Sequence, residues 1–286
     1  MNHDVIAAAG LTRVGDLYLA PSASQALRAA GLTTPEEFRS AVEESQLVTR
    51  GDDVTLIRRI ERNAGDRNLV AYLKWYAPLP WHRRAFRRLR GRAVSGALAE
   101  LHHINRLRQS GIEVPQPLAF GQDVPLGPFR SFLLLSSLEH WPTLEEIAHS
   151  QRFDAPLSRI DVRRRLIAAV ADLARRMHQT NIANPSLYSR HVVVESLEAD
   201  PIRLGLIDLE DLEVDVRVDD RRRAADLGAL ALTLQRESVS RTDRVRFVRR
   251  YYRSARLDSV GRDLIRRVDA FYEKNRHRRR FRHYSR

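Results

Sequence analysis

Leu69-Val70-Ala71-Tyr72-Leu73-Lys74-Trp75-Tyr76 is an apolar run with a single cation inside it. The chain writes arginine almost everywhere: of its 49 basic residues 47 are Arg, and only Lys74 and Lys274 are Lys. A lysine in such a run offers a compact ammonium that meets a phosphate as a point charge, where arginine would present a planar fork. An edge strand also uses lysine, with its head in water. The surrounding sequence decides between these readings.

Leu47-Val48-Thr49, Val54 to Ile60 and Leu69 to Tyr76 are strand-like pieces joined by Gly51-Asp52-Asp53 and Asn63-Ala64-Gly65-Asp66, so three short antiparallel strands are expected. Ahead of them, Thr34-Pro35-Glu36-Glu37 has the form of a helix start, with a threonine cap, proline in the first turn and acids near the positive end of the helix dipole. Behind them, Leu98, Leu101, Ile104 and Leu107 recur at helical spacing and predict a long helix over 94–109, stopped by Gly111. Val114 to Gly121 reads as extended and Ser131 to Leu135 as a buried strand. The period then turns helical, over Thr143 to His149 and over Val162 to Gln179, whose Leu166, Ala169, Val170, Leu173 and Met177 share one face. Two short strands, at 191–194 and 204–207, precede helices from Ala224 onward, and no internal repeat is visible.

At 286 residues, 43% hydrophobic and 30% charged, the chain can bury a substantial core as one large domain or two lobes. No apolar run reaches the roughly 18 residues of a membrane span. Met1 to Leu11 lacks the basic and apolar regions of a secretory signal, so a cytoplasmic protein is expected. Zero cysteines exclude disulfides, thiolate nucleophiles, zinc–thiolate sites and iron–sulfur clusters. The net charge of +13 is unevenly spread: Glu195 to Asp220 holds ten acids against Arg203 and Arg217, whereas Arg83 to Arg92 and the stretch beyond Arg241 are densely basic. Such a chain should meet polyanions such as a phosphorylated glycolipid, an anionic membrane or nucleic acid; an arginine-rich nucleic-acid binder is the least supported of these readings, because no recognised binding motif is present. The plainer reading is an arginine-rich set of solvated helix faces. Phosphate-loop, nucleophile-elbow, zinc-protease and dinucleotide motifs are all missing.

Antiparallel strands, a helix, a strand, then a helical half with a pair of small strands is the order of a protein-kinase-like fold. Its checkpoints are filled: Lys74 on the third strand, Glu100 on the following helix, Asp208 closing the strand Leu206-Ile207. In a kinase such a lysine holds the nucleotide phosphates, the helix glutamate orients it, and the aspartate holds magnesium.

Over residues 47–254 the chain resembles the WaaP/Kdo (InaA-like) family of lipopolysaccharide core kinases. The resemblance lies in Tyr72-Leu73-Lys74, in Glu100 ahead of Leu107 to Pro115, in Ser131 to Leu134, in Met177-His178, in Leu187 to His191, in Ile207-Asp208-Leu209 and in Asp226-Leu227. It implies an α+β, two-lobed protein-kinase-like fold with a small antiparallel-sheet N-lobe and a helical C-lobe. It also implies ATP and Mg2+ as cofactors, with Lys74 and Glu100 on the nucleotide and Asp208 and His191 at the magnesium positions. The implied partners are a lipopolysaccharide core or lipid-linked sugar and other core-assembly enzymes, met at the inner membrane. Asp226 resembles the helix aspartate that fastens the catalytic-loop backbone.

One departure dominates. The family's catalytic loop reads His-Arg-Asp-Leu-Tyr-x-x-His, and this chain reads Asn184-Pro185-Ser186-Leu187-Tyr188-Ser189-Arg190-His191. Ser186 stands where the base aspartate should be, and a neutral hydroxyl does not accept a proton at pH 7 as a carboxylate does. Arg50-Gly51-Asp52-Asp53 is also a poor phosphate loop, with two acids near the expected phosphates. The reading that follows is a degenerate kinase; the alternative is an active ATP-dependent kinase of an inner-core heptose or Kdo sugar in which Glu210 or Asp211 replaces the base. Each residue also has a structural reading: Glu100 a surface acid, Asp208 part of a solvated acidic turn with Glu210, Asp211 and Glu213, and His191 and His178 bracing groups rather than ligands. His102 and His103, adjacent on a helix, face different ways and do not suggest a shared metal.

The expected organisation is a helical extension over 1–46, an N-lobe over 47–137, a C-lobe over 138–258 and a basic helix and tail over 259–286. Lys74 should reach Glu100 and face Asp208 across a cleft. In the tail, Lys274 to Arg286 carries seven basic residues and no acid, enough to hold a protein peripherally on an anionic inner membrane, and Leu264, Ile265, Val268, Phe271 and Tyr272 form an apolar stripe before it.

Overall fold

The computed structural model describes residues 2–51, 55–65, 68–78, 95–126, 129–234 and 239–278. Asp52, Asp53, Val54, Asp66, the Arg83 to Arg92 stretch, Val94 and the tail from 279 onward lie outside them. The chain divides into two compact units, Met1–Arg106 with Pro115–Leu138, and Leu107–Val114 with Glu139–Arg286.

The first unit is built on a seven-stranded sheet: β1 (Thr12–Val14), β2 (Leu17–Leu19), β3 (Gln46–Gly51), β4 (Thr55–Asn63), β5 (Asn68–Tyr76), β6 (Pro117–Leu126) and β7 (Phe129–Ser136), in the order β1-β2-β6-β7-β5-β4-β3, with every pairing antiparallel. Side chains alternate across a strand, so β5 sends Leu73 and Trp75 to one face and Tyr72, Lys74 and Tyr76 to the other. Trp75 packs on Phe132, and Phe132 on Phe38 of the helix Pro35–Glu44, with ring centres 4.9 and 4.4 Å apart. These rings join Leu17, Leu27, Leu32, Ile60 and Leu73 in a core. The helix begins as its sequence predicts: the Thr34 hydroxyl accepts from Glu37 N–H while Glu37 Oε2 accepts from Thr34 N–H.

Residues 1–46 are more than a helical extension. The helices Asn2–Ala8, Ser24–Ala29 and Pro35–Glu44 are there, but β1 and β2 enlarge the sheet, Leu17 pairing with Gly121 and Leu19 with Ala119. β1 and β2 are only three residues each, too short for a periodicity to declare them.

In the second unit the helix Ile160–Gln179 packs against Arg241–Tyr251, and Asp220–Thr233 against Ser259–Asn275. The expected apolar stripe of the last helix is used: Leu264, Ile265 and Val268 meet Ala171, Ala174, Leu227 and Val248, and Phe271 and Tyr272 meet Tyr188, Ala229 and Leu232. Gly228 makes room for this contact, since a Cβ there would overlap the Phe271 ring. Two short antiparallel pairs complete the unit, β9 (Val192–Val194) with β10 (Leu204–Leu206), and β8 (Ile182–Ala183) with β11 (Glu213–Val214).

Candidate active site

Lys74 and Glu100 meet. Lys74 Nζ lies 2.9 Å from Glu100 Oε1, with side-chain exposures of 7% and 1%. Glu100 sits on the helix Gly96–Gln109, whose opening glycine has a local cause: a Cβ at Gly96 would overlap the Tyr76 ring. The ring therefore lies against the helix start, and the Tyr76 hydroxyl donates to Glu100 Oε2. Each carboxylate oxygen thus has its own donor, and the lysine head is fixed against a buried anion rather than released to water. Lys74 and Tyr76 reach it together because residues two apart share a strand face.

The second unit carries the loop 184–191. Asp226, 1% exposed on the helix Asp220–Thr233, accepts from Asn184 N–H at 2.7 Å and lies 3.1 Å from His178 Nε2. A carboxylate only accepts, so Nε2 carries a proton, and His178 Nδ1 pairs with the Tyr251 hydroxyl at 2.6 Å, accepting from it when the ring is neutral. Burial pushes the Tyr251 hydroxyl well above its ordinary pKa, keeping it a donor.

Ser186 is held from both sides of its peptide: its N–H donates to Asn184 Oδ1 at 3.0 Å, and its carbonyl lies 3.0 Å from His191 Nδ1. Its hydroxyl donates to Asp211 Oδ2 at 2.7 Å. His191 Nε2 lies 3.4 Å from Asp208 Oδ2 and 3.1 Å from Arg190 Nε. Since a carbonyl cannot donate, the His191 Nδ1 holds a proton, and Nε2 either accepts from Arg190 or, when protonated, donates to Asp208. Asp208 has φ of 58°, a left-handed conformation that Asp tolerates better than most residues, and its side chain is half exposed. Among the described residues no group of three or more His, Asp or Glu side chains forms a metal cage. Magnesium is commonly held by one or two carboxylates with substrate phosphates supplying the rest, and Asp208 fits that demand; both His191 nitrogens already face protein groups.

The profile of the lipopolysaccharide kinase (Kdo/WaaP) family matches residues 58–251, more than half of the chain. The chain belongs to this family. Among its relatives is lipopolysaccharide core heptose(I) kinase WaaP of Pseudomonas aeruginosa PAO1, 30% identical over 165 residues, which are 56% of this chain and 60% of that protein. WaaP of Escherichia coli K12 is 29% identical over 164 residues, 56% and 61% of the two chains. The chain thus spans about 60% of the length of the WaaP proteins it matches. A solved structure of WaaP in complex with acyl carrier protein superposes with a TM-score of 0.64 at 25% identity, covering 90% of this chain and 98% of that one. The fold is therefore the kinase-like fold of WaaP.

Two residues that hydrogen-bond to Glu100 and His178 are missing from the sequence reading. Tyr76 was within reach, since it stands two residues beyond Lys74 on the same strand. Tyr251 was not, because only the packing of its helix against Ile160–Gln179 brings it to His178.

Proposed function

We propose that the chain is an ATP-dependent phosphotransferase of lipopolysaccharide core assembly, transferring the γ-phosphoryl group to a hydroxyl of an inner-core heptose or Kdo sugar. The observation that carries this reading is the buried Lys74–Glu100 pair, which presents an ammonium in the arrangement that holds nucleotide phosphates in kinases. In the second unit Asp208 is the carboxylate that would hold magnesium, an ion that would neutralise charge on a transferring phosphoryl group. His191 braces the loop through the Ser186 carbonyl and adjoins Asp208.

A second reading rests on Ser186: without a carboxylate at that position the chain is a degenerate kinase, which binds its glycolipid or a core-assembly enzyme without efficient transfer. Thermal-shift titration with ATP and magnesium, followed by transfer to dephosphorylated core oligosaccharide, tests both. A melting temperature raised by ATP in the native chain but not in Lys74→Ala supports the nucleotide site, because a ligand of the folded state alone must stabilise it. Equal shifts in both would remove it. Binding without transfer would favour the degenerate reading.

The place of action we propose is the cytoplasmic face of the inner membrane, reached through the basic tail. No helix among the described residues is long and apolar enough to cross a membrane, so attachment would be electrostatic. We extend the acyl-carrier-protein partner of the solved WaaP to this chain. The second unit contains an apolar cavity of about 230 Å³ lined by Leu166, Val170, Leu230, Phe247, Leu264 and Val268, among others, a space suited to a hydrocarbon chain.

A further inference from the structure

We infer that Asp211 is the terminal proton acceptor of the transfer step, reached through the Ser186 hydroxyl; this rests on the phosphotransferase reading above. A serine hydroxyl has one proton and two lone pairs. With that proton directed at Asp211 Oδ2, 2.7 Å away, the Ser186 lone pairs are left to receive a hydrogen bond from an acceptor hydroxyl. The carboxylate missing from position 186 is thereby restored one hydrogen bond further out.

Three features fix this geometry. The pairing of Glu213 with Ala183 and of Val214 with Ile182 runs the turn before β11 back alongside the loop after β8, bringing residue 211 to residue 186. Leu209 and Leu212, 1% and 6% exposed, bury the turn on either side of Asp211. On the other side, Asn184 is pinned by Asp226, and Ser186 by Asn184 and His191. Ser186 is only partly buried and Asp211 is exposed, so an acceptor can reach the pair.

As the acceptor oxygen bonds to the γ-phosphorus, its proton passes to Ser186 Oγ while Ser186 passes its own to Asp211. The bond from that phosphorus to the bridging oxygen breaks, and the nucleoside diphosphate leaves with the electron pair. Ser186 ends unchanged. Asp211 ends neutral and returns its proton to water. Ser186 alone has nowhere to send the proton, which is why a carboxylate behind it matters.

The test is steady-state transfer from ATP with magnesium to dephosphorylated core oligosaccharide, using the full chain and its Asp211→Asn, Asp211→Glu, Ser186→Asp and Ser186→Asp/Asp211→Asn variants. Removing a general base typically lowers the rate about 10²–10⁴-fold. Asp211→Asn should lose kcat in that range with KM for ATP within about threefold, and Asp211→Glu should keep part of the rate. The double variant has its carboxylate at position 186, without a like charge beside it, and should recover about tenfold or more over Asp211→Asn. Recovery by adding a carboxylate is something a loop-bracing role would not produce. Asp211→Asn within about threefold of native would overturn the assignment, as would an inactive native chain beside an active Ser186→Asp. If neither of those two turns over, the phosphotransferase reading itself falls, and Asp211 with it.

Discussion

Removing Glu100 is the most direct probe of the lysine site. At 2.9 Å and an effective dielectric of about 20, the Lys74–Glu100 attraction is about 6 kcal/mol, most of it offset by the cost of taking both charges out of water. Glu100→Leu abolishes the attraction but leaves the ammonium desolvated. Breaking a buried pair from one side in this way costs about 3–5 kcal/mol. At about 2–4 °C per kcal/mol, the melting temperature should fall by about 6–20 °C. Lys74→Met strands the carboxylate instead and should cost a similar amount. The double variant Lys74→Met/Glu100→Leu removes both charges, and the remaining loss is the Tyr76 hydroxyl's acceptor, about 1–3 kcal/mol. Urea unfolding followed by tryptophan fluorescence suits the measurement, because Trp75 is fully buried beside Lys74. The reasoning fails if Glu100→Leu costs less than about 1 kcal/mol, or if the double variant loses the sum of the single losses.

Asp243 supplies a pH dependence. Burial pushes its pKa up, but hydrogen bonds from Ser240 and the Arg163 guanidinium outweigh burial and hold it below the ordinary value. A depressed folded pKa means stability present above the unfolded value and lost as pH falls through the folded one. The stability gap between native chain and Asp243→Asn should therefore be full at pH 6 and shrink below about pH 4 in denaturant titrations. Thr34→Ala, which removes the cap of Pro35–Glu44, should cost about 0.5–2 kcal/mol by the same method. If the apolar cavity takes an acyl chain, acyl-loaded carrier protein at about 100 times its Kd should add about 2.7 kcal/mol to stability. The carrier protein without an acyl group should give much less, and Val170→Asp should abolish the difference. Deleting 279–286 removes four arginines while keeping the described helix Ser259–Asn275, and should reduce sedimentation with anionic vesicles at low salt only.

The sequence carried the elements that have a strong period or a clear cap. Ile160–Gln179 and Gly96–Gln109 lie within two residues of the ends their periods predict, and Pro35–Glu44 starts at its predicted cap. The lysine–glutamate pair followed from their position on a strand and the helix after it. What stayed hidden depends on pairings between distant segments. β8 and β11 are two residues each, and only their register brings Asp211 to Ser186; from sequence Glu210 and Asp211 were equivalent. Tyr251 had no local signature, because its role is conferred by a helix crossing.

The placement of β2 in the sheet bears on how the chain is made. Its partner is β6, so Leu17 leaves the ribosome about a hundred residues before Gly121 does. During that interval Leu17 and Leu19, fully covered in the finished sheet, have no strand to cover them on that side. At typical synthesis rates the wait lasts about 5–20 s. The first unit can close only after both β6 and β7 have emerged, so a nascent chain stalled before β6 would present unpaired strand edges and bare leucines to chaperones and proteases.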